Sequence, residues 1–438
     1  MKNKSKVLLA VLTAIFVCSA FSVTFAAAQP VEVWNVTWGG SGDYEGRAVA
    51  TAGDCVYQAG VIDGVDAFLN KYDSDGNLLW NITWAMFPPS GVWYSDVVAM
   101  AATEDSIYLA GMTASPNNTD FDAFLNKYDI DGNLIWNITY GGSGSFMGYA
   151  TAATDDSVYL AGEITSNSSN YAAFLNKYGI DGNLNWNITW SGPGCYAASD
   201  VAASGDSVYV AGSEGHKAFV SRYDSTDGCL IWNLTSLGIE VRGIAVGDNV
   251  VYAAGIDLDG YLSKYSSTDG SLIWNITDSR ISWGSATAAT GDSVYLAGAN
   301  RSSDFDFSKA SLAKYNSTDG SLIWNITWGK AGWVNGRAVA ATNDSVYLAG
   351  TTAVSDTANG SAFLVKYSDP APTPAVTPVP TSTPTPTPKL ATTAPIETPT
   401  VPAAATPSAT PTPPGFEAVF AIVGLLAVAF LVWIKRRN

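Results

Sequence analysis

Between residues 31 and 367 apolar and polar residues alternate in runs of five to eight, and the runs come in groups of four. One group reads Asp96–Ala102, Ser106–Gly111, Phe121–Tyr128 and Asn133–Tyr140. Each run is rich in β-branched and aromatic residues and is bounded by Gly, Asp, Asn or Ser, a pattern that predicts strands. Asp131-Gly132 between the last two runs predicts a hairpin. The fourth run of each group carries the phrase Trp-Asn-aliphatic-Thr, beginning at Trp34, Trp80, Trp136, Trp186, Trp232, Trp274 and Trp324. Successive copies lie 46, 56, 50, 46, 42 and 50 residues apart, the signature of a repeat architecture.

Seven units of four antiparallel strands predict an all-β fold, a seven-bladed β-propeller over residues 29–367. The first Trp-Asn-Val-Thr, at 34–37, stands ahead of the first complete unit. The last unit supplies only three strands, near 336–341, 345–350 and 362–367. The N-terminal strand is therefore expected to complete the last blade and close the ring, which removes open sheet edges. Period-two alternation puts Trp80, Ile82 and Trp84 on one face of the fourth strand and Asn81 and Thr83 on the other. The indoles are expected to face the neighbouring blade and the asparagines the rim. Each phrase is also an N-glycosylation sequon, so Asn35, Asn81, Asn137, Asn187, Asn233, Asn275 and Asn325 are expected to bear glycans. Six further sequons lie at Asn117, Asn167, Asn300, Asn316, Asn343 and Asn359, out of this register.

The ends of the chain break the pattern. Residues 1–28 read as a signal peptide, with Lys2, Lys4 and Lys6 ahead of an apolar run and Ala26-Ala27-Ala28 for cleavage. Residues 368–414 are dominated by Pro and Thr and have no periodic apolar face, which predicts a disordered, extended stalk. Residues 415–438 hold the apolar run Ala418–Ile434 followed by Lys435-Arg436-Arg437. Seventeen apolar residues span roughly 26 Å as a transmembrane helix, at the short limit for crossing a bilayer. The basic cluster would stay cytoplasmic and leave the repeats outside.

Composition narrows the function. The chain of 438 residues has a formal charge of −17, and six of its 22 basic residues lie in the terminal segments. No basic footprint exists for a nucleic-acid partner. Three cysteines follow the signal region, Cys55, Cys195 and Cys229, without metal-like spacing. They fall at different ends of different strands, so no disulfide is expected. The single histidine, His216, sits in a short loop, so neither a Ser–His–acid triad nor a histidine metal site is proposed. Of the Asp-x-Asp-Gly turns at 73–76 and 129–132, only the Asp before Gly recurs in other units, and hairpin geometry accounts for it without calcium. No catalytic residue, metal or cofactor is expected.

Six of the seven units place an aromatic in the loop entering the first strand: Tyr44, Trp93 with Tyr94, Phe146, Tyr196, Trp283 and Trp333. These loops are expected on one face around the central channel. An aromatic collar there would stack on sugar rings, whereas plain blade packing is the alternative.

The segment "DAFLNKYDSDGNLLWNITW" (66–84), with "GRAVA" and "VYLAG" elements in other units, resembles the SBBP-type β-propeller repeat of bacterial and archaeal surface proteins. That resemblance covers all seven units and implies the fold, with the Trp-bearing strand outermost; it implies no particular chemistry. The "STDGSLIWN" segments (267–275, 317–325) also look like pyrroloquinoline-quinone enzyme repeats, but the chain lacks the adjacent-cysteine pair and the eighth blade of those enzymes. Pro414-Gly415-Phe416, the apolar run and the basic end resemble the PGF-CTERM sorting signal of archaeal surface proteins. It implies an archaeal source, an archaeosortase-like processing enzyme and membrane attachment by the helix or by a lipid. The expectation is thus a glycosylated cell-surface propeller that binds, adheres or structures the envelope, with envelope glycans or S-layer proteins as partners. An extracellular enzyme acting on polysaccharide, or a quinoprotein-like activity, is the alternative.

Overall fold

The computed structural model describes residues 29–369 except 86–95, 115–119, 168–169, 193, 216, 236–237, 258, 282, 302–306, 330–331 and 355–358. The signal region, the stalk beyond residue 369, the Pro414–Phe416 motif, the C-terminal apolar run and His216 lie outside the described residues. All strands fall in one unit, Met1–Ala375.

The chain opens with β1 (Val31–Trp38). The first sheet follows in order, with β2 (Tyr44–Ala52), β3 (Cys55–Ile62), β4 (Asp66–Tyr72) and β5 (Leu78–Ala85). The second has β6 (Asp96–Ala102), β7 (Ser106–Ala114), β8 (Phe121–Asp129) and β9 (Leu134–Tyr140). The third has β10 (Ser145–Ala153), β11 (Ser157–Asn167), β12 (Asn170–Gly179) and β13 (Leu184–Ser191). The fourth has β14 (Tyr196–Ser204), β15 (Ser207–Glu214), β16 (Lys217–Asp224) and β17 (Leu230–Thr235). The fifth has β18 (Glu240–Gly247), β19 (Val250–Ile256), β20 (Gly260–Ser266) and β21 (Leu272–Asp278). Next come β22 (Trp283–Ala289), β23 (Ser293–Arg301), β24 (Ser308–Asn316) and β25 (Leu322–Trp328). The last three strands are β26 (Trp333–Ala341), β27 (Ser345–Ala353) and β28 (Ser361–Ser368). A single parallel pair, Ser308 with Trp333, links these last two groups. β1 pairs antiparallel with β28 from Val31–Ser368 to Trp38–Ala362, so the expected fourth strand of the last group comes from the start of the chain.

Consecutive sheets pack face to face through shared apolar clusters. Tyr57, Ala59 and Leu69 of the first sheet meet Val97, Ile107, Leu109 and Phe124 of the second, with Trp80, Ile82 and Trp84 at the margin. The first sheet also packs against the last group, where Val49, Val56 and Tyr72 meet Tyr347, Ala349 and Leu364 beside Trp34.

One contact recurs at these seams. In each unit a Tyr, a Lys or Arg, and the Trp of the repeated phrase lie opposite one another across three strands, as in Tyr57, Lys71 and Trp80. The cation sits 5.5–6.0 Å from the tyrosine ring centre in all seven rows. Indole and phenol rings are 6.0–6.1 Å apart. In six of the seven rows both donors then reach one carbonyl in a neighbouring hairpin. Lys71 Nζ and Trp80 Nε1 donate to the Ile130 carbonyl at 2.8 and 3.2 Å, and Lys127 and Trp136 donate to that of Ile180 at 3.0 Å each. The same pairing joins Lys177 and Trp186 to Ser225, Arg222 and Trp232 to Ser267, and Lys264 and Trp274 to Ser317. Lys366 of β28 and Trp34 of β1 both donate to the Ser74 carbonyl at 2.9 Å, so strands from opposite ends of the chain make one clamp.

The hairpin is shaped to receive the indole. Gly76 has φ +86°, a left-handed conformation that glycine adopts without strain, and a Cβ there would lie 2.7 Å from the Trp34 ring. Asp73 supplies the rest of that turn, its carboxylate accepting the Asp75 and Asn77 amides at 2.9 and 2.8 Å. These bonds hold the Asp73 carboxyl below its usual range, with the Asn77 side chain the strongest influence. In the later units the Asp before the Gly does the same work: Asp181, Asp227, Asp269 and Asp319 each accept the backbone amide two residues on.

The last group has no hairpin between its third and fourth strands, because β28 and β1 come from opposite ends of the strand series. There the Asp369 side chain replaces the carbonyl: it accepts Lys314 Nζ at 2.7 Å and also the Tyr295 hydroxyl. Both ion-pair side chains are buried, at 6% and 3% exposure. Removing one member of a buried pair costs about 3 kcal/mol because the other charge stays desolvated. Asp369→Ala should therefore lower unfolding stability by about 3 kcal/mol in denaturant titration, whereas an exposed ion pair changes it by less than about 1 kcal/mol. An unchanged midpoint and slope for Asp369→Ala would remove this seam from the account.

Candidate functional site

The first strands of the groups converge on one cavity. A cavity of about 410 Å³ is bounded by residues of β2, β6, β10, β14, β18, β22 and β26. Every one of these strands breaks register at the same level, for instance between Gly46 and Ala48 in β2 and between Gly336 and Ala338 in β26. A β-bulge of this kind re-aims the extra residue. The bulged residues Arg47, Val98, Tyr149, Ser199, Arg242 and Arg337 all line the cavity. Opposite the bulge stands the Gly that ends the Tyr-x-Ala-Gly run. A Cβ on Gly60 would collide with the Glu45 carbonyl and come within 2.8 Å of the Phe68 ring, so only glycine fits there.

The polar residues of this wall form an ordered network. Arg47 Nη2 bridges Glu45 at 3.0 Å and Asp96 at 3.2 Å, and Arg337 Nη2 reaches the same Glu45 oxygen at 3.1 Å. Three neighbouring strands, β26, β2 and β6, therefore share one charge cluster. Arg47 Nε, Arg337 Nε and Asp96 Oδ1 are buried without a hydrogen-bond partner among the described residues. Across the cavity Arg242 pairs with Glu240 at 3.0 Å. Asp200 accepts the Val201 and Ile244 amides at 2.9 and 2.7 Å, the second from the next sheet.

Burial governs the titration of these groups. It raises the Asp96 carboxyl to about 6 against the lowering pull of Arg47. It raises Asp200 to about 7 against the two backbone donors. Burial, then the neighbouring Arg47, lowers the Arg337 guanidinium from its ordinary value. Such a wall offers guanidinium donors and carboxylate acceptors side by side.

The aromatic residues expected as a collar are placed differently from one another. Tyr44, Tyr196, Trp283 and Trp333 each begin a first strand, and Phe146 is the second residue of one. Tyr44 tilts against Phe68 at 6.4 Å, and Phe146 meets Tyr140 edge-on at 5.2 Å. Tyr196 is buried, and its hydroxyl donates to Glu214 at 2.5 Å, a bond that with burial raises the phenol to about 12. These three rings pack within and between sheets. Trp333 is half-buried, Trp93 and Tyr94 lie outside the described residues, and so does the Trp283 side chain. Of the collar residues whose side chains are described, Tyr44, Phe146, Tyr196 and Trp333, none lines the cavity. The bulge residues that do line it were invisible as a set in the sequence, since Arg, Val, Tyr and Ser share no chemical type; only their constant place before the small-residue run links them.

The seven rim asparagines are all exposed on the last strands of their groups, and the tryptophans beside them face the packed side. Cys55, Cys195 and Cys229 are free.

Comparisons with known proteins agree with this architecture. Residues 169–376 match the PQQ_2 family model, described as outer membrane protein assembly factor BamB. Residues 414–433 match the PGF-CTERM motif. The WD40 β-propeller domain of Doa1 superposes with a TM-score of 0.53 at 13% identity, covering 76% of this chain and 96% of that one. The structure of U3-55K does so with a TM-score of 0.52 at 12% identity, covering 77% and 99%. No curated protein matches the chain.

The raised Asp96 pKa generates a prediction. Its folded value lies above the unfolded value of about 3.9, so ionisation opposes folding. Its contribution is intact below about pH 4 and fades as pH rises through the folded value. The melting temperature of Asp96→Asn minus that of the parent should therefore increase between about pH 4 and pH 7; a pH-independent difference would contradict the assignment. The chain is a β-propeller, and its PGF-CTERM motif marks it as an exported protein anchored in the membrane at the cell surface.

Proposed function

We propose that the chain forms a closed seven-bladed propeller, completed by β1, that binds envelope polysaccharide at its central channel and carries N-linked glycans on its rim. The observation that carries this reading is the polar network of Arg47, Glu45, Asp96 and Arg337 on the channel wall. It supplies donors and acceptors at fixed spacing, as hydroxyl recognition requires, and two of its guanidinium Nε–H groups have no partner among the described residues. Membrane attachment through the PGF-CTERM segment holds such a module among envelope polymers, and the Pro/Thr stalk would extend it from the membrane. S-layer proteins are the proteinaceous partners that fit this location. The match to the PQQ_2 model supports shared blade architecture, and no cofactor enters the proposal.

A second reading, hydrolysis of polysaccharide, is favoured by one observation. Asp96, raised to about 6 by burial, and Glu45 share one guanidinium nitrogen, so two carboxyls stand close together. Binding is preferred because both acids are held by Arg47 as a fixed ion cluster.

Purified protein on an array of envelope polysaccharides tests the two together. Arg47→Ala and Glu45→Gln should each weaken retention at least tenfold, with Trp333→Ala reporting on the collar, and no new reducing ends should appear. Undiminished retention in both channel variants would overturn the binding site. Release of sugar that Asp96→Asn abolishes would establish the enzyme instead.

A further inference from the structure

The outer strand of every group is an unprotected edge. β5, β9, β13, β17, β21 and β25 each pair with a single neighbour, and β1 pairs only with β28. Their sequences are uncharged through the centre, as in Leu-Ile-Trp-Asn-Ile-Thr-Tyr of β9 and Leu-Ile-Trp-Asn-Ile-Thr-Trp of β25. Aliphatic residues stand in solvent beside the Trp: Val33, Leu79, Ile135, Ile231 and Ile273 are 44–54% exposed. A long, uncharged edge of high β-propensity is a template for pairing with another chain. Here nearly the same edge is repeated around one molecule, so each copy presents several matching partners to the next. These seven strands carry neither Pro nor Lys, the usual guards.

What every edge does carry is a sequon at its centre, with both the Asn and the Thr exposed. We infer that the Asn-linked glycans at Asn35, Asn81, Asn137, Asn187, Asn233, Asn275 and Asn325 are the edge guards of this propeller. They cover the exposed aliphatics and exclude the outer strand of a second copy. This rests on the glycosylated-rim reading and adds the role of the glycan. It also explains the common register: an edge needs a guard at its middle in every blade. The third group is an internal comparison, because Asn185 stands where the others have an aliphatic residue, and its edge needs less cover.

The test uses full-length protein purified from the membrane of cells that export and glycosylate it. Site occupancy comes from mass spectrometry and oligomeric state from light scattering. Two variants change Thr83, Thr139 and Thr277 together, and a third changes the paired asparagines. Thr→Ser keeps the sequons and should stay monomeric. Thr→Ala removes them and should self-associate, at least tenfold faster than the parent on concentration. Changing Asn81, Asn137 and Asn275 to Asp also removes the glycans but places a charge on each edge, and should restore the monomer while circular dichroism stays unchanged. Thr189→Ala alone should have less effect than Thr139→Ala alone. Unoccupied sites in the parent would overturn the glycosylated rim and this inference with it. Occupied sites with a Thr→Ala triple that remains monomeric, or an Asp triple that associates as the Ala triple does, would overturn the guard role alone.

Discussion

The hydrogen bond from the repeated tryptophan to the neighbouring hairpin is the constraint on which the rest of the molecule depends. A four-stranded sheet has two faces, and a chain of such sheets is stable only when each face is covered by the next. Apolar side chains alone would let neighbouring sheets slide. The indole and the cation fix the offset, because both reach one carbonyl and the indole ring lies against the hairpin glycine. Hydrogen bonds to charged donors contribute about 1.5–3 kcal/mol each. The cation and the indole together therefore hold the spacing between those sheets.

Everything at the centre follows from that spacing. With the outer strands locked, the first strands converge, and their bulges at one level turn six named residues into a common cavity. The two radii are divided in chemistry. The outer strand carries uncharged aliphatics and asparagines, whereas Arg47, Glu45, Asp96 and Arg337 gather at the inner wall. A net charge of −17 is spread over a surface in which guanidinium groups are rare, so three of them at one cavity stand out electrostatically.

Strand positions were legible because period-two alternation and Asp-Gly turns are local signals. β6 spans Asp96–Ala102 as the alternation indicates, and β1 lies against β28 as the counting of strands requires. The partner of each signal was not legible. Trp34 and Gly76 both stand out in the sequence, yet nothing local shows that one receives the other across a seam. The Lys in Asn-Lys-Tyr reads as an ordinary solvated charge until its register opposite Trp80 is known. The collar aromatics were found by their place ahead of the first strand, but rotation of the entering backbone decides whether a ring meets a ligand or a neighbour. Tyr196 meets Glu214. The bulge that aims Arg47 inward leaves only a trace, the glycine on the opposing strand.

The central claim is that the seam made by the two chain ends equals the seams inside the chain. Equilibrium denaturant unfolding of Trp34→Ala beside Trp136→Ala measures it directly, since the two indoles make the same bond at 2.9 and 3.0 Å in a terminal and an internal seam. Both substitutions should lower stability by about 3 kcal/mol, within about 1 kcal/mol of each other. Destabilisation by Trp136→Ala with none from Trp34→Ala would mean that the β1–β28 pair does not make an equivalent seam.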